Sequence, residues 1–321
     1  MGAHNLYWKH GKATVLTTAA MLADCVFALP TGLFAPFARA PWMGQVQDPA
    51  MIGHLRELGG DFACLPFGIG RPVSNAPPEW AALLTGPTSG PIHGPAADAE
   101  WSVVAACDHG ITLALDYPGT SPVLRVERTV AARPDTPALD CTFRIHARRR
   151  AQISAGLHPI LRLPDTPGRL HITADFDFGL THPGYGGQEF HRLGAVPRPQ
   201  GPIDLSHVPL FPRTDLNVQL CGMRGPLRAH YLDERAGLEL DWDRAVLPSL
   251  QIWHTDGGIS GAPWHNAYRG IGLEPVASAF DLDTSVSCAP NPINARGVAT
   301  AIWIDPAAPV TIRHSFRAFS A

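Results

Sequence analysis

No run of about 20 apolar residues occurs anywhere in this 321-residue chain, so no segment reads as a membrane helix. Charge is also scarce. Charged residues make up 17% and the formal net charge is −3, which removes the electrostatic basis for binding nucleic acid or an anionic lipid surface. The one basic cluster, Arg148-Arg149-Arg150, is short and is expected in a solvated turn between two strands. Cysteines 25, 64, 107, 141, 221 and 288 are scattered and form no C-x-x-C pair, which excludes the usual structural zinc spacing. Several lie in apolar runs, as small core residues do, and the pattern suits a reducing, cytoplasmic compartment. Their even number leaves disulfides open. A nucleophile elbow, a P-loop and an H-E-x-x-H helix are all missing. The fragment Gly68-Ile69-Gly70-Arg71 lacks the third glycine and the following helix of a dinucleotide fingerprint. Near the N-terminus, Lys9, His10 and Lys12 precede a stretch, residues 13–28, with a faint signal-peptide outline. Asp24, Thr14, Thr17 and Thr18 dilute it, and a first pair of strands is expected there instead.

What the chain does have is punctuation. Thirty-two prolines and 31 glycines separate short runs of β character at residues 101–106, 111–116, 123–130, 138–147, 152–163, 169–175, 216–221, 227–232, 238–243, 249–253, 270–276, 298–304 and 310–316. In 138–147, Leu139, Cys141, Phe143 and Ile145 share one face, and Asp140, Thr142, Arg144 and His146 share the other. That is the period of a half-buried antiparallel strand. Helical candidates are confined to 49–58 and 79–84. Many short strands, almost no helix and no fixed-period repeat predict an all-β chain: one large antiparallel β-sandwich domain over residues 1–321, with no βαβ units and no propeller. Residues 182–212, rich in Gly, Pro and His, are expected to form a long loop over a functional face.

Chemistry-bearing residues stand out against this background. Glu274 lies in the apolar run Ile271-Gly272-Leu273-Glu274-Pro275-Val276, where an anion is costly unless it is paired or used. It is either a functional carboxylate or a structural partner of Arg71, Arg162 or Arg269. His93 lies in Pro91-Ile92-His93-Gly94-Pro95, where the chain path is constrained, so its ring projects from a tight turn or a strand end. It is either functional or satisfied by a loop carbonyl. His158, in Gly156-Leu157-His158-Pro159-Ile160, is biased to extended backbone by the proline, which marks an edge strand or a bulge. It either enters a site or faces water. One carboxylate and two imidazoles are the parts of a general acid–base site. Arg71, on a Gly/Pro-rich loop, suits planar recognition of a carboxylate or of sugar hydroxyls, or is simply solvated. His254 and Asp256 are expected to decorate a turn after a strand rather than to hold a metal. Trp253 and Trp264, near Glu274, offer ring faces for stacking or core packing.

The order and context of these motifs resemble the aldose 1-epimerases, the galactose mutarotase-like proteins. The resemblance rests on Gly59-Gly60 followed by residues 65–71, on Ile92-His93-Gly94 with Trp101, on Leu157-His158-Pro159, and on Gln251-Ile252-Trp253 leading to Gly272-Leu273-Glu274-Pro275. The closing strands around an Asp-Pro turn add to it. It implies a supersandwich with a sugar cleft and interconversion of the α and β anomers of a free aldose. Within that reading Glu274 is the catalytic base and His158 the acid, held protonated by an anionic Glu274. His93 bonds the ring oxygen or a neighbouring hydroxyl. Arg71 and Asp215 bind hydroxyls, and Trp253 lines the sugar. No metal or organic cofactor is needed, the partner is a small-molecule sugar, and the assembly is a monomer or a homodimer. The sequence departs from the family after His158, where Ile160, Leu161 and Arg162 stand. Arg162 either favours an anionic sugar or makes a structural ion pair. A non-catalytic carbohydrate-binding or regulatory paralogue on the same fold is the competing reading.

Overall fold

The alternation legible in the strands becomes two large antiparallel sheets. The structure, a computed structural model, describes residues 2–45, 48, 50–70, 73–84 and 90–320. One sheet has nine strands in the order His207–Val208, Leu170–Thr173, Leu227–Tyr231, Ala236–Trp242, Val310–Ser320, Ala138–Ala147, Val123–Ala132, Gly110–Asp116 and Ser102–Cys107. The other has eight. Its path runs Glu189–Phe190, Phe178–Thr181, Leu216–Cys221, Ser249–Asp256, Arg269–Ala277, Ala155–Leu157 and Ala63–Cys64, with Ile160–Arg162 also paired to Arg269–Ala277. A four-stranded sheet from Ala3 to Phe34 takes up the region with the faint signal-peptide outline.

The core lies between the two large sheets. Along Leu216–Cys221, Leu216, Val218 and Leu220 point into it. Leu250 and Ile252 do the same from Ser249–Asp256, and Ile271 and Leu273 from Arg269–Ala277. Leu238, Leu240, Ile312 and Phe316 meet them from the nine-stranded sheet. Period-two alternation then sends Asp215, Asn217, Gln251, Trp253, Gly272 and Glu274 to the opposite face. That face carries the cleft.

Some elements end elsewhere than the sequence suggests. The helical stretches shrink to Gly53–Arg56 and Pro78–Ala81. The strand predicted at 298–304 covers Ile302–Ile304. His254 and Asp256 do not decorate a turn: the strand continues through them to Asp256, whose carboxylate accepts a hydrogen bond from Arg269 Nε at 2.5 Å. Residues 182–212 are not bare loop but hold two 3₁₀ turns and two short strands. Arg148–Arg150 does form an exposed turn between strands, and all six cysteines are free.

One buried polar cluster bridges the layers. Asp61 accepts hydrogen bonds from the Arg128 guanidinium and lies 2.9 Å from His314 Nε2, and all three side chains are fully buried. Burial would raise the Asp61 carboxyl, but Arg128 and His314 override it and hold it below the ordinary value. Burial would likewise lower His314, but the Cys141 sulfur and the Asp61 carboxylate push it up to about 9. His314 therefore stabilises the fold fully below its unfolded pKa of about 6.5, and that contribution is lost as pH rises through about 9. Two outcomes are expected. Urea denaturation should show wild type losing stability between about pH 7 and about pH 9.5, a loss much reduced in His314→Gln. Asp61→Asn should cost about 3–5 kcal/mol by stranding the Arg128 charge. A pH-independent midpoint in wild type would contradict the assignment.

Candidate functional site

Three cross-strand neighbours set the floor of the cleft. Gln251 stands directly opposite Glu274, Trp253 opposite Gly272, and Asn217 opposite Trp253. Glu274 is 0% exposed, and its side chain lies back over Gly272. A Cβ at position 272 would fall 2.2 Å from Glu274 Oε1, so the glycine is what makes room for the carboxyl. None of the arginines named as structural partners meets Glu274 among the described residues. Arg162 bonds Glu234 with 2.6 Å contacts to both oxygens and lies over the Tyr231 ring, and Arg269 bonds Asp256 and Asp165. The choice left open for Arg162 is thereby decided for the ion pair.

His158 is placed by a break in an interior strand, not at a sheet edge. Ala155–Leu157 and Ile160–Arg162 pair with opposite ends of Arg269–Ala277, and Pro159 interrupts the ladder between them. The chain is held there by His158 N–H to Phe62 O at 2.8 Å and Ile160 N–H to Gly60 O at 2.7 Å. The break turns the imidazole toward Glu274, with Nε2 3.3 Å from Oε1. Phe62 stacks on the ring at 4.6 Å.

His93 occupies the turn expected of it, just before the helix Gly94–Asp98, with a left-handed φ of 57°. Such backbone is uncommon for a residue with a side chain and is concentrated at functional sites. Hydrogen bonds from His93 N–H to Gly68 O and from Leu65 N–H to His93 O fix it. Its ring meets the edge of His158 at a centroid distance of 5.0 Å.

These residues line a chamber of about 130 Å³. The structure adds members that sequence reasoning passed over. His54 is buried in a helix of four residues, meets His93 at 5.5 Å and hydrogen-bonds the Ala97 carbonyl. Gln251 brings an amide whose Oε1 has no hydrogen-bond partner. Asp281 faces both this chamber and its outer extension, and its Oδ1 lies 3.1 Å from His182 Nε2. Gln251 carried a usable signal, because strand alternation puts it on the same face as Trp253. His54 and Asp281 carried none, since their places depend on contacts distant in sequence. Trp253 forms one wall, within 6.0 Å of the His158 ring, and packs on Trp264 and Tyr268. Asp215 lies in the outer extension, where its oxygens accept from Thr255 Oγ1 and the Asp256 amide. Arg71 lies outside the described residues.

The electrostatics differ from the sequence expectation. Burial pushes the Glu274 carboxyl well above its usual range, and nearby Asp281 adds to the shift. Burial pulls His158 down to about 3, with His54 adding. An anionic Glu274 does not hold His158 protonated. Desolvation dominates, and the resting pair is a carboxylic acid beside a neutral imidazole. Both Glu274 oxygens and His158 Nδ1 lack a hydrogen-bond partner. Three polar atoms on these adjacent groups are thus left open to a ligand's hydrogen bonds.

Because Glu274 binds its proton more tightly folded than unfolded, its contribution is complete below an unfolded pKa of about 4.3 and is lost as pH rises toward the folded value. Glu274→Gln removes that dependence. Chemical denaturation of both proteins should show the variant gaining on wild type as pH rises above about 4.3. A difference that does not change with pH would sink the raised pKa.

No protein-family profile matches the sequence, and no curated protein matches it. Solved structures do. An Escherichia coli protein described provisionally as an aldose 1-epimerase is 17% identical, with 100% of this chain and 99% of that chain covered at a TM-score of 0.67. An aldose epimerase homologue from C. elegans is 13% identical, covered over 100% and 99% at a TM-score of 0.68. A galactose mutarotase-like protein from Lactobacillus casei is 14% identical, covered over 99% and 100% at a TM-score of 0.63. At these identities the likeness is one of fold, and the fold of this chain is the galactose mutarotase-like supersandwich.

Proposed function

We propose that the chain is an aldose 1-epimerase that opens and recloses the ring of a free sugar by general acid–base catalysis. The observation that carries the reading is the Glu274 carboxyl, buried without a cation among the described residues and 3.3 Å from His158 Nε2. A module that only binds sugar has no use for such a pair. A carboxyl raised by burial beside an imidazole lowered by it is a pair of strongly perturbed groups in a cleft, the setting in which acid–base partners are found.

Ring opening removes the proton of the C1 hydroxyl and delivers one to the ring oxygen. In the resting pair a single proton sits on Glu274. Sugar hydroxyls donating to its unbonded oxygens favour the anion, which moves the proton to His158. Glu274 then takes the C1 hydroxyl proton as base and His158 protonates the ring oxygen as acid. After rotation about C1–C2 the roles reverse for closure from the other face. His93 bonds the ring oxygen or an adjacent hydroxyl, Arg71 and Asp215 bind hydroxyls, and Trp253 packs on the ring. The residues supply every proton the reaction needs.

Turnover requires the pair to hold one proton. It gains a second only when His158 ionises, at about 3, and loses its last only above the raised value of Glu274. The expected profile of kcat/KM therefore has no acid limb near the 6.5 of an ordinary imidazole. An acid limb near 6.5 would refute the neutral pair. Glu274→Gln should slow enzymatic mutarotation of fresh α-glucose or α-galactose by at least ~10²-fold while sugar still binds. Polarimetry reads the rate and calorimetry the binding. Equal rates in variant and wild type would remove Glu274 as the base.

A further inference from the structure

The cleft belongs to the eight-stranded sheet. The nine-stranded sheet has an outer face of its own, and a row of rings crosses it. Leu170 and Ile172 lie in the core, so His171 between them points outward. The register aligns His207, His171, His230, Gly237 and Phe319 side by side on neighbouring strands. Residues directly opposite in antiparallel strands have Cβ atoms about 4.5–5.5 Å apart. One end of the row is closed. A Cβ on Gly237 would fall 2.2 Å from the Phe319 ring, so that ring lies over the glycine and beside His230, at a centroid distance of 6.3 Å. His230 Nε2 is enclosed there without a hydrogen-bond partner. The other end is open. His207 is exposed on the edge strand, and its ring stacks on His171 at 4.5 Å.

The open end carries the parts of a ligand set. Asp204 Oδ2 lies 3.0 Å from His207 Nδ1. Burial would raise the Asp204 carboxyl, but hydrogen bonds from Ser206 and His207 hold it below its ordinary value. A carboxylate only accepts, so Nδ1 carries a proton and the neutral His207 ring keeps its lone pair on Nε2. A carboxylate behind an imidazole in this way is what fixes the tautomer and orientation of histidine ligands in metal sites. His171 makes no side-chain hydrogen bond among the described residues. Burial lowers its pKa, and His207 and His230 lower it further, so at neutral pH the ring is uncharged, as a ligand must be. A hollow of about 270 Å³ bordered by His171 and Ser206 leaves room for an ion and its waters. Of the arginines bordering it, Arg224 is paired with Asp175 and Asp177, and Arg192 is exposed to solvent.

We propose that His171 and His207 bind a divalent transition-metal ion, zinc or copper(II), with Asp204 as the residue that orients His207. Neutral imidazoles select such ions over magnesium or calcium. Turning the exposed His207 ring out of the stack brings its Nε2 and a His171 nitrogen to the about 2.0–2.1 Å of a metal–imidazole bond, and water fills the other positions. The bound ion clips the edge strand His207–Val208, and with it the end of the long segment 182–212, to the body of the sheet. The site is independent of the anomer chemistry proposed for the cleft.

The test uses the full chain carrying Cys107→Ser, which removes the exposed thiol, dialysed free of metal. Calorimetry with zinc chloride is expected to show a saturable site of one equivalent, and the electron paramagnetic resonance spectrum of added Cu²⁺ to show two nitrogen ligands. His171→Gln and His207→Gln should each abolish that equivalent. Asp204→Asn should weaken it by about 10–100-fold. His191→Gln, at an exposed histidine nearby, should leave it unchanged. Zinc should raise the urea midpoint of the parent but not of the two histidine variants, whose metal-free midpoints show that they fold. Zinc binding equal in the parent and both variants would overturn the site, as would a Cu²⁺ spectrum with a single nitrogen ligand.

Discussion

A carboxyl group buried in the face of a sheet, with no cation beside it among the described residues, is the constraint around which the cleft is arranged. Glu274 can lie there because Gly272 has no side chain, because a broken strand brings His158 alongside, and because the carboxyl resolves its desolvation by keeping its proton. Each condition is local, but their coincidence needs the sheet. The register that pairs Gln251 with Glu274 and Trp253 with Gly272 is what sets an amide and an indole around the acid.

Asp61 and Glu274, two fully buried carboxyl groups, make an instructive contrast. Asp61 stays charged because Arg128 and His314 surround it, and it ties the layers together. Glu274 stays neutral because nothing comparable does, and its oxygens remain without partners. The first carboxylate is paired with two cationic groups through Oδ2 and is structural. The second is unsatisfied until a donor arrives, which is how a binding site differs from a polar core. Ion pairing of Arg162 with Glu234, away from this chamber, leaves the described cleft lined by neutral and acidic groups.

Much of this was legible in the sequence, and the rest was hidden for physical reasons. Alternation places the strands Ala138–Ala147 and Leu216–Cys221 at their observed bounds, because each has one apolar face and no internal proline. Residues 152–163 read as one strand, yet Pro159 cannot donate to the ladder and the strand divides there. Glu274, His158 and His93 announce themselves as polar residues in apolar or Gly/Pro-rich settings, and the fold does bring them together. His54 and Asp281 sit in segments with no distinguishing pattern. They reach the cleft through pairings and turns set by residues far away, which no local window contains. The protonation of the pair escaped for a related reason: desolvation depends on total burial, and residue types alone suggest attraction between opposite charges.

The central claim is that Glu274 rests protonated beside a neutral His158 and gives up its proton when a sugar donates to it. Infrared difference spectroscopy between wild type and Glu274→Gln at neutral pH tests it directly. The account predicts a protonated-carboxyl band in wild type that the variant lacks, and its conversion to a carboxylate band when sugar is added. A carboxylate band already present without sugar, unchanged on its addition, would contradict the account.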